Sequence, residues 1–314
     1  MQNQKIRNDK RIFILLLVLM SCSMRSLAVS LNDSVPPGNN FQKAAFRLWY
    51  PDNYKSISGI IVLMPGSNGD GRGWTSDIFW QELAQKHNFA LLGCYFTDYK
   101  HDDMNIESYT NAENGSGQAL LDVISRFGEK SGFKELSNTP LVLWGHSAGG
   151  QFNYEFVCWK PERVIAFVVN KGGFYYSALA SKQTRNVPGL FFTGDKDIES
   201  RKYIIKGIFL MNRRAGALWC FGEEPGAGHE IGQTQKLAAR FFDNIIPLRL
   251  QNKAVEDSSS ELKLLMSESG LIGDNQSKTI TPFATAPKGD FQTSWLPDAL
   301  FGEAWLSFIK GTGN

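Results

Sequence analysis

A chain of 314 residues with 42% hydrophobic content can bury one large core, or a domain with an appendage. Its 33 basic and 31 acidic residues leave a formal charge of +2, which excludes the basic excess of a nucleic-acid binder. The sequence has neither a Cys-x-x-Cys nor a metal-spaced Cys/His cluster, so it gives no sign of a zinc site or a dithiol redox motif.

The chain opens with a basic stretch, Lys5, Arg7, Lys10 and Arg11, followed by an apolar run from Ile12 to Met20. That run is too short to span a membrane and reads as the core of an export signal. Two processing sites compete. Ser26-Leu27-Ala28 would release a chain starting at Val29, whereas Leu19-Met20-Ser21-Cys22 resembles a lipobox that would leave a lipid on Cys22. Export without a lipid is the favoured expectation, which places the protein in the periplasm or outside the cell. Contact with a membrane is expected only if Cys22 is lipidated. Residues 1–28 hold five basic residues (the four above and Arg25) and one acid, Asp9. The rest of the chain therefore carries 28 basic and 30 acidic residues, a formal charge of −2. Either cut leaves Cys94, Cys158 and Cys220 in the folded part, an odd number, and Cys94 and Cys220 sit in apolar runs that read as buried thiols.

Residues 29–40 are polar, contain Pro36-Pro37-Gly38, and read as a leader. A strand is expected over 41–50 and a turn at Pro51-Asp52-Asn53-Tyr54. The β-branched run Gly59-Ile60-Ile61-Val62-Leu63-Met64 reads as a strand covered on both faces. It runs into the glycine-rich loop Pro65-Gly66-Ser67-Asn68-Gly69-Asp70-Gly71. A helix over 76–88 puts Ile78, Phe79, Leu83 and Ala84 on one face. A strand over 89–96 and a helix over 114–130 follow.

Leu141-Val142-Leu143 is the next buried strand. It breaks at Trp144-Gly145-His146-Ser147-Ala148-Gly149-Gly150, and a helix is expected from Gln151 to Trp159. A strand turning sharply into a helix at Gly-x-Ser-x-Gly is a nucleophile elbow, which raises the serine hydroxyl above the sheet. Further strands are expected over 164–170, 187–193 and 216–221, the last of them, with a closing helix over 231–246. The alternation argues for a mostly parallel sheet with helices on both faces. The short gap between residues 170 and 187 leaves no room for a large lid. The catalytic domain is thus expected over 41–250. Residues 251–314 are expected to supply a polar linker, most marked over 252–275, and an aromatic segment packing back on the domain.

A serine nucleophile needs a base and an orienting acid. Of the four histidines, His87 and His101 read as surface residues, and His146 adjoins the serine but points elsewhere. His229 lies in Pro225-Gly226-Ala227-Gly228-His229-Glu230, straight after the last expected strand. The acid should also follow a strand, and Thr193-Gly194-Asp195-Lys196-Asp197 offers two. Asp197 is preferred; Asp195 is the alternate, and Glu223 and Glu224 read as surface groups.

The order Ser147, Asp197, His229, each after a strand, resembles the α/β-hydrolase superfamily over residues 41–246. The loop Pro-Gly-Ser-Asn-Gly-Asp-Gly and the lack of a lid are closest to the dienelactone-hydrolase, polyhydroxybutyrate-depolymerase and feruloyl-esterase-like members. The resemblance implies an α/β-hydrolase fold and an oxyanion hole made by the N–H groups of Ser67 and Ala148. Pro65 stands where the family's loop carries histidine. The function so implied is an exported serine ester hydrolase, acting on aryl, polysaccharide-linked or hydroxyalkanoate esters without a cofactor or metal. A serine peptidase on the same scaffold and a non-catalytic binding protein are the rival readings. Trp74, Phe174 and Tyr175 are candidates for packing an aryl or sugar group, or for packing the core or the rim.

Overall fold

The computed structural model describes residues 28–101, 106–250, 262–287 and 292–312. Residues 1–27 of the expected export segment, with Cys22, and the first part of the expected linker lie outside the described residues.

Eight strands form the central sheet: β1 (Ala28–Val35), β2 (Lys43–Pro51), β3 (Gly59–Met64), β4 (Phe89–Thr97), β5 (Leu141–Gly145), β6 (Val164–Asn170), β7 (Gly189–Gly194) and β8 (Trp219–Glu224). Their order is β1-β2-β4-β3-β5-β6-β7-β8. β1 and β2 are antiparallel to their neighbours, and β4 through β8 run parallel. Among the described residues seven α-helices accompany them: α1 (Ile78–Lys86), α2 (Ser116–Ser131), α3 (Ala148–Trp159), the single-turn α4 (Lys182–Arg185), α5 (Glu199–Arg214), α6 (Thr234–Arg249) and α7 (Ala299–Lys310).

The sheet is buried on both faces, which is why its central strands are apolar without alternation. Ile60, Val62 and Met64 of β3 point to a core shared with α2, α3 and α5. Ile61 and Leu63, one residue out of phase, point to the opposite core, where Trp80 of α1, Phe241 and Phe242 of α6 and Trp305 of α7 pack. Each fully buried Leu, Ile or Phe contributes roughly 1.5–3 kcal/mol of transfer free energy. The two cores thus account for the layering. Asp77 starts α1 by accepting the Phe79 N–H at 3.0 Å.

Three expectations need correction. Residues 29–40 are not simply a leader, since Ala28–Val35 is the edge strand β1, in register with β2 from Ala28↔Pro51 to Val35↔Ala44. Val29, Leu31, Asp33 and Val35 turn toward the protein and their neighbours toward solvent. Asp33 is tied down there by Arg126 and Lys130 of α2, each at 2.9 Å. Second, α5 occupies a stretch for which no helix was expected. Third, residues 216–221 do not hold the last strand, and the polar run does not extend as a linker to residue 275. Strands β9 (Leu271–Asp274), β10 (Thr279–Pro282) and β11 (Thr293–Leu296) form a small antiparallel sheet in the order β10-β9-β11, followed by α7. This unit packs against β8 and α6, with Trp295 and Trp305 fully buried.

Because β5 to β8 are parallel, their carboxyl ends share one edge of the sheet, where an open α/β sheet gathers its ligand-contacting loops. The loops carrying Ser147, Lys171, Asp197 and His229 leave from that edge.

Candidate active site

Ser147 sits between β5 and α3 at φ 54°, ψ −122°, a backbone state disfavoured for any residue with a side chain. The strain holds because the turn is fixed on both sides. The Ser147 N–H donates to the Asn170 carbonyl at 2.8 Å, and the His146 N–H to the Met64 carbonyl at 3.2 Å. The glycines of the motif are sterically required. A Cβ at Gly149 would lie 2.1 Å from the Met64 carbonyl oxygen, and one at Gly145 would lie 2.2 Å from that of Gly149.

The glycine-rich loop after β3 closes over this turn. A Cβ at Gly66 would fall 3.4 Å from the Ser147 Cβ, so the next residue, Ser67, begins beside Ser147. A bond from the Gly69 N–H to the Gly66 carbonyl, 2.9 Å, tightens the loop. Ala148 is the first residue of α3, where an N–H has no carbonyl of its own helix to bond.

His229 stands between the other two residues. Its Nε2 is 2.9 Å from Ser147 Oγ and its Nδ1 is 3.1 Å from Asp197 Oδ2. Asp197 Oδ1 accepts the Ile198 N–H at 2.8 Å and a bond from Arg201 Nη1. Burial works to raise the Asp197 carboxyl, but the bonds from His229 and Ile198 and the Arg201 cation outweigh it and hold the group below the ordinary carboxylate range. Asp195 is turned away from the imidazole and accepts the Gly226 N–H at 2.8 Å, holding the mouth of the same loop.

His146 does not point elsewhere. Its ring packs on that of His229, with centroids 5.1 Å apart. Burial, then the neighbouring His229 ring and the Lys171 and Arg201 cations, push its pKa down to about 4. His87 bonds Asp243 at 2.7 Å and His101 bonds Asp98 at 2.9 Å, so both are paired. Glu224, read as a surface group, is buried and bonds the equally buried Lys171.

Of the three aromatics, Trp74 joins the core on the far face, its ring 5.2 Å from that of Trp144. Tyr175 turns inward onto Tyr154 at 5.1 Å, with its hydroxyl buried. Burial pushes that phenol well above its ordinary range. Phe174 remains half-exposed against Tyr176 at 5.3 Å. Each of the first two makes an edge-to-face contact with another ring, which ties it into the surrounding packing. Cys94, Cys158 and Cys220 are free thiols. Among the described residues, no group of three or more His, Cys, Asp or Glu could hold a metal ion.

Arg201, Lys171 and Glu224 escaped the sequence reading. Arg201 carried a weak local sign, standing four residues after Asp197 at the start of a helix. Lys171 and Glu224 meet across 53 residues and left none.

No family model matches the chain, and no curated protein matches it. Among solved structures, it is similar to a ferulic acid esterase at 11% identity and TM-score 0.49, over 69% of this chain and 96% of that one. A poly(3-hydroxybutyrate) depolymerase from Bordetella parapertussis matches at 17% identity and TM-score 0.48, over 74% and 93% of the respective chains. An S-formylglutathione hydrolase from Staphylococcus aureus matches at 12% identity and TM-score 0.49, over 70% and 97%. The strand order, the elbow after β5 and the helices on both faces of the sheet give this chain the α/β-hydrolase fold.

Proposed function

We propose that the protein is an exported serine hydrolase acting on carboxylic esters. The observation that carries this reading is the pair of contacts at His229, 2.9 Å to Ser147 Oγ and 3.1 Å to Asp197 Oδ2. One imidazole can accept a proton at Nε2 only if it keeps one at Nδ1, and the Asp197 carboxylate selects that tautomer. Ser147 Oγ attacks the ester carbonyl as its proton passes to His229 Nε2. The carbonyl π electrons move onto oxygen, where the N–H groups of Ser67 and Ala148 would stabilise the charge by about 3 kcal/mol each.

Collapse of that intermediate breaks the bond to the alcohol oxygen. The alcohol leaves with the proton held on Nε2. Water then attacks the acyl-serine, giving its proton to Nε2. Release of the acid returns that proton to Ser147 Oγ. Phe174, half-exposed beside Tyr176, is an aromatic candidate for an aryl or sugar portion.

The test is hydrolysis of p-nitrophenyl acetate by wild type and Ser147→Ala. The reading requires loss of turnover in the variant, and equal rates would remove it. A panel of aryl, acetyl-sugar and hydroxyalkanoate esters then assigns the substrate class.

A further inference from the structure

His229 lies on a loop, and a loop has to be held if an imidazole is to stay within hydrogen-bond distance of a serine. One side of the loop is fastened to the strand edge by backbone bonds. The Lys196 N–H donates to the Ala227 carbonyl at 2.9 Å and the Asp195 N–H to the Glu224 carbonyl at 3.1 Å. Among the described residues the other side has no such ladder. There Asn170 Nδ2 makes a long bond to the Ile231 carbonyl, 3.5 Å, and the short fastening is Lys171, whose side chain is completely buried. Its Nζ donates to the Glu230 carbonyl at 2.6 Å and to Glu224 Oε2 at 2.9 Å.

Glu224 in turn accepts the Gln233 N–H on Oε1 at 2.6 Å. Gly232, at φ 62°, leaves the room for it, since a Cβ there would lie 2.3 Å from the carboxylate. Lys171 itself has φ 57°, again unusual for a residue with a side chain. The residue before it, Asn170, accepts the Ser147 N–H through its carbonyl at 2.8 Å. Two consecutive residues at the end of β6 therefore fix the nucleophile with one backbone group and the base loop with one ammonium. A buried lysine is costly to keep charged, and a pair such as this one adds little net stability over an apolar replacement. Its placement beside the residue following His229 gives it another use.

We propose that Lys171 is a positioning residue for the base, holding His229 against Ser147 through the Glu230 carbonyl, with Glu224 as its counter-ion. The assignment rests on the serine-hydrolase reading above. It acts on geometry, and a misplacement of about 1 Å at a reacting group can cost 100-fold in rate.

The experiment compares Lys171→Met with Lys171→Met/Glu224→Gln. The single variant leaves Glu224 buried without its partner and is expected to melt at a lower temperature. The double variant removes both charges and is expected to recover most of the wild-type melting temperature. Neither restores the bond to the Glu230 carbonyl. Both should show kcat on p-nitrophenyl acetate reduced 10- to 100-fold, with KM within threefold of wild type. The rate of Ser147 labelling by a fluorophosphonate should fall in parallel. If kcat recovers together with the melting temperature in the double variant, Lys171 is structural only and the proposal is overturned. If wild type and Ser147→Ala hydrolyse the ester equally, the hydrolase reading falls and takes this one with it.

Discussion

His146 and His229 stand ring beside ring, with centroids 5.1 Å apart, and only His229 reaches the serine hydroxyl. The inner ring has a pKa of about 4 in the folded chain against an ordinary 6.5, chiefly because it is buried. Between those values the unfolded chain binds a proton that the folded chain refuses. Stability is therefore complete above about pH 6.5 and drains as the pH falls toward 4, by roughly 3 kcal/mol at most. Urea midpoints at pH 7 and pH 4.5 measure the loss. His146→Gln, which cannot take up the proton, should show a smaller drop. An equal drop in the variant would assign the acid sensitivity to other groups.

The two aspartates after β7 should behave differently. Asp197→Asn deprives the imidazole of the carboxylate that selects its tautomer, and kcat should fall by about 10³- to 10⁴-fold. Asp195→Asn keeps an oxygen that can accept the Gly226 N–H, so its turnover should stay within about threefold of wild type. Reversal of the two results would move the acid to Asp195.

Two glycine-to-alanine changes separate close packing from open space. At Gly149 the added methyl would meet the Met64 and Pro65 carbonyl oxygens at 2.1 and 2.5 Å, and the backbone cannot yield without rebuilding the elbow. A loss of about 3 kcal/mol or more is expected, together with loss of turnover. At Gly207, inside α5, an added methyl meets nothing within 4 Å. Gly207→Ala should stabilise the chain by about 0.5–1 kcal/mol. Denaturant titrations of the two variants check both signs.

Trp305 joins the C-terminal unit to the main domain. It is fully buried, and its Nε1 donates to the Phe221 carbonyl of β8 at 2.7 Å. Trp305→Ala should cost about 3–5 kcal/mol in a single cooperative unfolding transition. A variant in which α7 and β9 to β11 melt first, with the main sheet intact, would show instead that the appendage is an independent unit.

The sequence was legible where burial imposed a simple pattern. The expected strands 59–64 and 164–170 coincide with β3 and β6, because strands covered on both faces are continuous apolar runs. The elbow was legible because its glycines answer to backbone crowding rather than to distant partners. β1 was not, since the charged Asp33 occupies one of its inward positions and only the fold supplies Arg126 and Lys130 to receive it. α5 was obscured by Gly207 and by exposed apolar residues, Tyr203, Ile204 and Met211, which blur its polar face. The support of the candidate site was hidden for a related reason. Arg201 meets Asp197 from only four residues away, but Lys171 looks like an ordinary surface cation until the sheet edge brings Glu224 to it.

The outer side of β8 is already occupied. Ser294 Oγ accepts the Phe221 N–H at 2.9 Å, and the Trp305 indole takes the carbonyl of the same residue. Another chain therefore finds no vacant row of amides there on which to extend the sheet. At the opposite margin, Pro36-Pro37 follow β1, and since proline has no N–H they set only where a ladder along that edge must stop. Among the described residues the two margins therefore differ: β8 is covered by the C-terminal unit, whereas β1 pairs only with β2 and turns its other edge outward along Ala28–Val35.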